Sequence, residues 1–180
     1  MALCAPNSLF WLAFYFGILK AGAVAVTFSH LLTKNELIQI ITDCRPKILF
    51  TVDEKLNQLE DLTSTTRPDM VICDHGDITF ERFVERAASD FIAIDCDRHE
   101  PCAILYTGGT TGLPKGVVLT HFNLTSNAFQ GFSMAGEDFR ENLQNMGKSS
   151  SIAYMPLCHG FGFFVANASI LGATMLILYD

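Results

Sequence analysis

Residues 103–121 read AILYTGGTTGLPKGVVLTH, and the loop in the middle of this stretch decides how the chain is built. Apolar residues run up to Tyr106, and a second apolar run follows Gly116. Between them lie glycines, threonines, a proline and one lysine. A hairpin closes with about two to five residues, so a loop of this length does more than turn the chain. Gly108, Gly109 and Gly112 give access to positive φ and let a ligand approach the backbone. Successive N–H groups in such a loop point inward as an anion-binding nest. The hydroxyls of Thr107, Thr110 and Thr111 add donors, and Lys115 adds a mobile charge with three more. Pro114 narrows the backbone freedom just before the lysine. The sum predicts a cradle for phosphate oxygens. It is not a Walker A loop, which needs glycine before the lysine and Ser or Thr after it; here Pro114 precedes and Gly116 follows. Nor does it have the spacing of a dinucleotide fingerprint.

Outward from this loop, strand-like apolar runs alternate with helical segments. Strands are predicted at 1–5, 24–28, 47–52, 70–74, 102–106, 116–119, 151–155 and 173–179. A helix over 9–21 has Asn7 or Ser8 as cap and Gly22 as stop. The Thr33-x-x-Glu36 capping box opens a second helix that ends near Cys44, ahead of Pro46. Further helices are expected at 53–62, 80–88, 120–129 and 161–171. Residues 90–100 read as an acidic connector, 131–150 as a surface connection and 156–162 as a loop. The alternation predicts an α/β fold with a largely parallel sheet and helices on both faces. Continuous rather than alternating apolar strands agree with burial on both sides. Ligands of such sheets bind beyond the carboxyl ends of the strands, where both glycine-containing loops, 107–116 and 156–162, are placed.

The 180 residues suffice for one core, burying roughly 70% of the unfolded surface. Hydrophobic residues make up 49% and charged residues only 17%, against about 25% charged in ordinary soluble domains. A chain so short of polar surface reads as a piece of a larger body or as a domain with a large apolar partner. A net charge of −7 disfavours nucleic acid as a partner. The six cysteines are scattered, without a C-x-x-C, and read as reduced thiols of an intracellular protein. The apolar stretch 8–28 has the length of a membrane span, but Lys20 within it and the absence of a basic start make it a buried helix. The acceptor patterns at Asn123 and Asn167 read as chance matches. His30, His75 and His99 lie in connectors and gain no role; His121 is expected to pack at its helix start, and Asp95 and Asp97 read as linker rather than as a metal pair.

YTGGTTGLPKGVVLTH closely resembles the phosphate-binding motif of the adenylate-forming superfamily, which holds acyl-CoA synthetases, 4-coumarate–CoA ligases and beetle-type luciferases. The usual form is Tyr-(Ser/Thr)-(Ser/Gly/Thr)-Gly-Thr-Thr-Gly-x-Pro-Lys-Gly, and every position is met from Tyr106 to Gly116. MPLCHGFGFF, residues 155–164, resembles the family's next motif, in which a histidine stands after a strand beside the acyl pocket; Cys158 replaces a histidine often found before His159. APNSLFWLAFYFGILKAGAVAV is similar to the family's helix and following strand, after which TFSHLL departs from the usual Asn-Pro segment.

The resemblance implies part of the large N-terminal domain of an enzyme that joins a carboxylic acid to the α-phosphorus of ATP, with Mg²⁺ on the phosphates. The acyl-adenylate then passes to coenzyme A, or is oxidised in a luciferase-like monooxygenase. It places Thr107, Gly108, Gly109, Thr110, Thr111, Gly112 and Lys115 on ATP. It makes His159 the catalytic and substrate candidate, holding the acid's carboxylate or gating the acyl tunnel, and Phe161 and Gly162 lining candidates for the acyl pocket. No residue is assigned to a protein-held metal site. The family's Tyr-Gly-x-Thr-Glu motif, ribose-binding aspartate and distal lysine do not occur in these 180 residues. Residues 1–180 are therefore expected to be a partial AMP-binding domain, truncated at both ends, that works with the remainder of its parent chain. Alone they are expected not to catalyse ATP–pyrophosphate exchange. A cytoplasmic or peroxisomal parent fits the resemblance. The other readings are a non-catalytic nucleotide-binding module and a protein anchored through 8–28; ATP binding without exchange and carbonate-resistant sedimentation are their respective signatures.

Overall fold

The protein is described by a computed structural model covering residues 1–88, 90–107, 114–136, 139–144, 147–148, 150–172 and 174–178. The order of elements is β1 (Ala2–Cys4), α1 (Leu9–Lys20), β2 (Ala25–Thr27), α2 (Lys34–Cys44) and β3 (Ile48–Thr51). A 3₁₀ turn (Asp53–Gln58), β4 (Met70–Ile72), α3 (Phe80–Glu85), β5 (Pro101–Thr107) and β6 (Lys115–Thr120) follow. The chain continues with α4 (His121–Ala135), α5 (Phe139–Gln144), β7 (Ser150–Ala153), α6 (Gly160–Leu171) and β8 (Met175–Leu178).

Six strands form one sheet in the order β4-β3-β1-β2-β5-β6. Every pairing is parallel except β5 with β6, which is antiparallel. Alternation along the strands divides the core. Leu3, Phe50, Ile72 and Leu105 pack with α1, Leu124 of α4 and Phe163 of α6. Their neighbours Ala2, Cys4, Leu49 and Val71 pack with Leu37, Ile40 and Ile41 of α2 on the opposite side. Both faces are covered, as a parallel sheet requires. The last two strands, β7 and β8, pair parallel in a sheet of their own.

Helix signals read from sequence act as expected at several ends. Ser8 caps α1, its side chain accepting from Trp11 N. Thr33 and Glu36 form the reciprocal capping box of α2. Among the described residues no helix is long and apolar enough to cross a membrane; α1 instead buries Trp11, Phe14, Tyr15 and Ile18 against the sheet. Four segments differ from expectation. The helix predicted at 53–62 is a 3₁₀ turn ending at Gln58. The helix predicted at 80–88 stops at Glu85. The helix predicted to stop near Phe129 runs through Gly131 to Ala135 and is stopped by Gly136 at φ 72°, where a left-handed residue ends the hydrogen-bond ladder. Part of the expected surface connection 131–150 is thus helical, in α4 and α5. Finally, α6 starts at Gly160, inside the expected loop.

Candidate functional site

The carboxyl edge of the sheet gathers the loops that carry the candidate residues. β5 delivers Thr107 there, and β6 leaves from Lys115; the two residues are register partners. The Thr107 hydroxyl donates to the Lys115 carbonyl at 3.4 Å, which closes the base of the loop. Gly108, Gly109, Thr110, Thr111 and Gly112 lie outside the described residues. One step below the base, Tyr106 faces Gly116. A Cβ on Gly116 would stand 2.9 Å from Ile104 Cγ2 and 3.3 Å from Tyr106 Cζ, so the missing side chain makes room for the tyrosine ring. The Tyr106 hydroxyl donates to the Asp43 carboxylate near the end of α2. Burial, and then the bond to Asp43, hold that phenol above its ordinary range. The loop is therefore anchored at its root to both β6 and α2.

The second loop joins β7 to α6. Its turn closes through His159 N donating to Pro156 O at 3.1 Å. It lies over the ends of β1 and β2: Asn7, just after β1, bonds to the backbone of Met155 and Leu157, and the Thr27 hydroxyl at the end of β2 donates to Cys158 O at 3.5 Å. Because β2 also neighbours β5 in parallel, both candidate loops open on the same edge. His159 is the N-cap of α6, exposed, and makes no side-chain capping bond. It lines a groove of about 290 Å³ together with Asn7, Ser29, His30 and Tyr154. Phe161 projects into solvent, 64% exposed. Gly162 is buried in the first turn of α6, where a Cβ would stand 2.3 Å from Pro156 O. Neither Phe161 nor Gly162 is among the residues lining that groove.

A neighbouring Cys and His can form a nucleophilic pair when the thiol is acidified. Cys158 shows the opposite: burial pushes its thiol up to about 11. Burial likewise pushes Cys4 up to about 12 and Cys102 up to about 11. Since a raised thiol value leaves thiolate only in strong base, these three are inert at neutral pH. Iodoacetamide at pH 8 is therefore expected to modify Cys96, on the 90–100 segment, well before Cys4, Cys102 or Cys158; peptide mass spectrometry reads the order. Early labelling of Cys158 would instead make it a candidate nucleophile.

Sequence reading gives His30 and Lys55 no role and offers Asn7 only as an alternative helix cap, yet all three organise this edge. His30 lines the groove with His159, and burial, followed by the charge of Lys55, lowers its value from the ordinary histidine range. Lys55 is only 8% exposed and donates to Leu32 O at 2.7 Å, tying the 3₁₀ turn to the loop after β2. Asn7 holds the β7–α6 turn. No local pattern reports such bonds, because the partners of Asn7 lie 148 and 150 positions away. The Asn123 side chain accepts from Thr120 N in the capping box of α4, and Asn167 is buried, accepting from the Tyr15 hydroxyl at 3.0 Å; both acceptor patterns thus have structural uses. Among the described residues, no group of three or more His, Cys, Asp or Glu is placed to hold a metal.

A family model described as AMP-binding enzyme matches residues 1–180. The chain is 32% identical over 145 residues to the long-chain-fatty-acid–CoA ligase FadD13 of Mycobacterium tuberculosis, covering 79% of this chain and 29% of that protein. It is 31% identical over 179 residues to the luciferin 4-monooxygenase of Nipponoluciola cruciata, covering 91% and 32%. The crystal structure of ATP-bound MatB from Rhodopseudomonas palustris superposes with a TM-score of 0.79 at 26% identity, over 99% of this chain and 35% of that one. The chain thus spans about a third of the length of the proteins it matches.

Proposed function

The chain belongs to the AMP-binding enzyme family, and from that premise we propose that its 107–116 loop grips the phosphates of ATP while an acid is activated as acyl-adenylate. One carboxylate oxygen of the acid attacks the α-phosphorus, the bond to the bridging oxygen breaks, and pyrophosphate leaves with the electron pair. Charge then accumulates on the leaving phosphates. Preorganised donors aimed at that charge lower the barrier, and such chemistry rests mainly on positioning and electrostatics. Thr107 and Lys115 suit such a role, because a hydroxyl-bearing and an ammonium-bearing residue pair across the root of a glycine-rich loop, on the ligand-binding edge of the sheet. Gly108, Gly109, Thr110, Thr111 and Gly112 supply the further amides and hydroxyls. Mg²⁺ rides on the phosphates, since hard cations of this kind are bound largely through substrate oxygens. His159 meets the carboxylate of the acid, and coenzyme A receives the acyl group in the complete enzyme.

The observation that carries this reading is the Thr107–Lys115 pairing, anchored from below by Tyr106 and Asp43. Binding, rather than turnover, is the readout suited to these 180 residues. Equilibrium dialysis against radiolabelled ATP with Mg²⁺ is expected to show saturable binding that excess pyrophosphate displaces. A folded chain that retains no ATP would remove the proposal.

A further inference from the structure

We propose that Asn7 is the positioning residue of the candidate acid site: its one carboxamide fixes the turn that delivers His159. The inference rests on the reading of His159 given above. Asn7 stands between β1 and the cap of α1, and both ends of its amide are used. Oδ1 accepts from Leu157 N at 2.9 Å, and Nδ2 donates to Met155 O at 3.0 Å. Both partners are backbone groups, so the bonds dictate the path of the chain. β7 has ended at Ala153 and α6 has not begun until Gly160, so neither element pairs these two groups. Leu157 is fully buried, and its N–H would be costly to leave without a partner. With the chain held at 155 and 157, His159 N closes on Pro156 O, and His159 lines the groove that Asn7 also lines.

Asparagine is the shortest side chain with a donor and an acceptor on one planar group. Aspartate keeps the acceptor and loses the donor, and alanine loses both. The full 180-residue chain, isotopically labelled, provides the test. Asn7→Ala is expected to speed hydrogen exchange at Leu157 N–H at least tenfold and to move the His159 ring resonances. The Tyr15 amide in α1 and the rings of His75, His99 and His121, away from the groove, should stay put. Asn7→Asp is expected to keep Leu157 slow while still moving the His159 ring. Decanoate and Mg²⁺–ATP separate positioning from general damage. Asn7→Ala should weaken decanoate at least tenfold and leave ATP within twofold. Unchanged exchange and ring signals in Asn7→Ala overturn the proposal, as does equal loss of both ligands with protection lost throughout. A wild-type chain that binds ATP but no decanoate would instead remove His159 from the acid site, and the exchange and ring data would still decide whether Asn7 sets the turn.

Discussion

Gly162→Ala is expected to destabilise the chain by about 3 kcal/mol, the upper end of the ordinary cost of overpacking. The same change two residues earlier, Gly160→Ala, is expected to be neutral or to stabilise by up to about 1 kcal/mol. The added methyl at 162 would lie 2.3 Å from Pro156 O, 2.9 Å from Pro156 C and 3.0 Å from Met155 O. All three are backbone atoms of the turn that Asn7 holds, so no flexible side chain can yield. At Gly160 nothing lies within 4 Å of the added atom, and alanine in a helix forgoes the entropy that glycine loses. Urea unfolding of the two variants beside wild type measures the difference. Equal stabilities would mean that α6 can slide off the turn, and the close packing that places His159 at its cap would have to be abandoned.

The contrast between these glycines shows what could be read from the residues and what could not. Local chemistry was legible. Thr33 and Glu36 had to meet, because a capping box spans a single turn, and the apolar run over α1 had to be buried because Lys20 bars a membrane. The alternation of strands and helices led to a mostly parallel sheet, and the sheet to a carboxyl edge holding both loops. Long-range reasons stayed hidden. Within HGFG the two glycines look alike, yet only Gly162 has a backbone against its Cα, supplied by residues that fold over it. The helix expected to end near Phe129 passes through Gly131, because the φ that ends it is adopted at Gly136 instead. Nothing local separates β7 and β8 from the main sheet. Their exposed face of Ile152, Met175 and Ile177 is unusual for a parallel pair, since parallel sheets are normally covered on both sides. It agrees with a composition short of charge.

Lys115→Ala is expected to weaken Mg²⁺–ATP binding tenfold to a hundredfold while leaving the fold intact. The ammonium stands exposed at the first position of β6, where substitutions ordinarily shift stability by less than about 0.5 kcal/mol. A lost hydrogen bond to a charged partner is worth about 1.5–3 kcal/mol, and about 1.4 kcal/mol is tenfold in affinity. The loop keeps its other donors, and its root keeps Thr107, Tyr106 and Asp43, so binding should be weakened rather than abolished. Lys115→Arg preserves the charge but exchanges a compact point charge for a planar fork, and should fall between wild type and alanine. Raising the salt should narrow the gap between lysine and alanine, because screening acts on the charge and not on the amides. If the alanine variant holds ATP as tightly as wild type, the ammonium lies away from the phosphates, and the pairing of Thr107 with Lys115 is a hairpin base and nothing more.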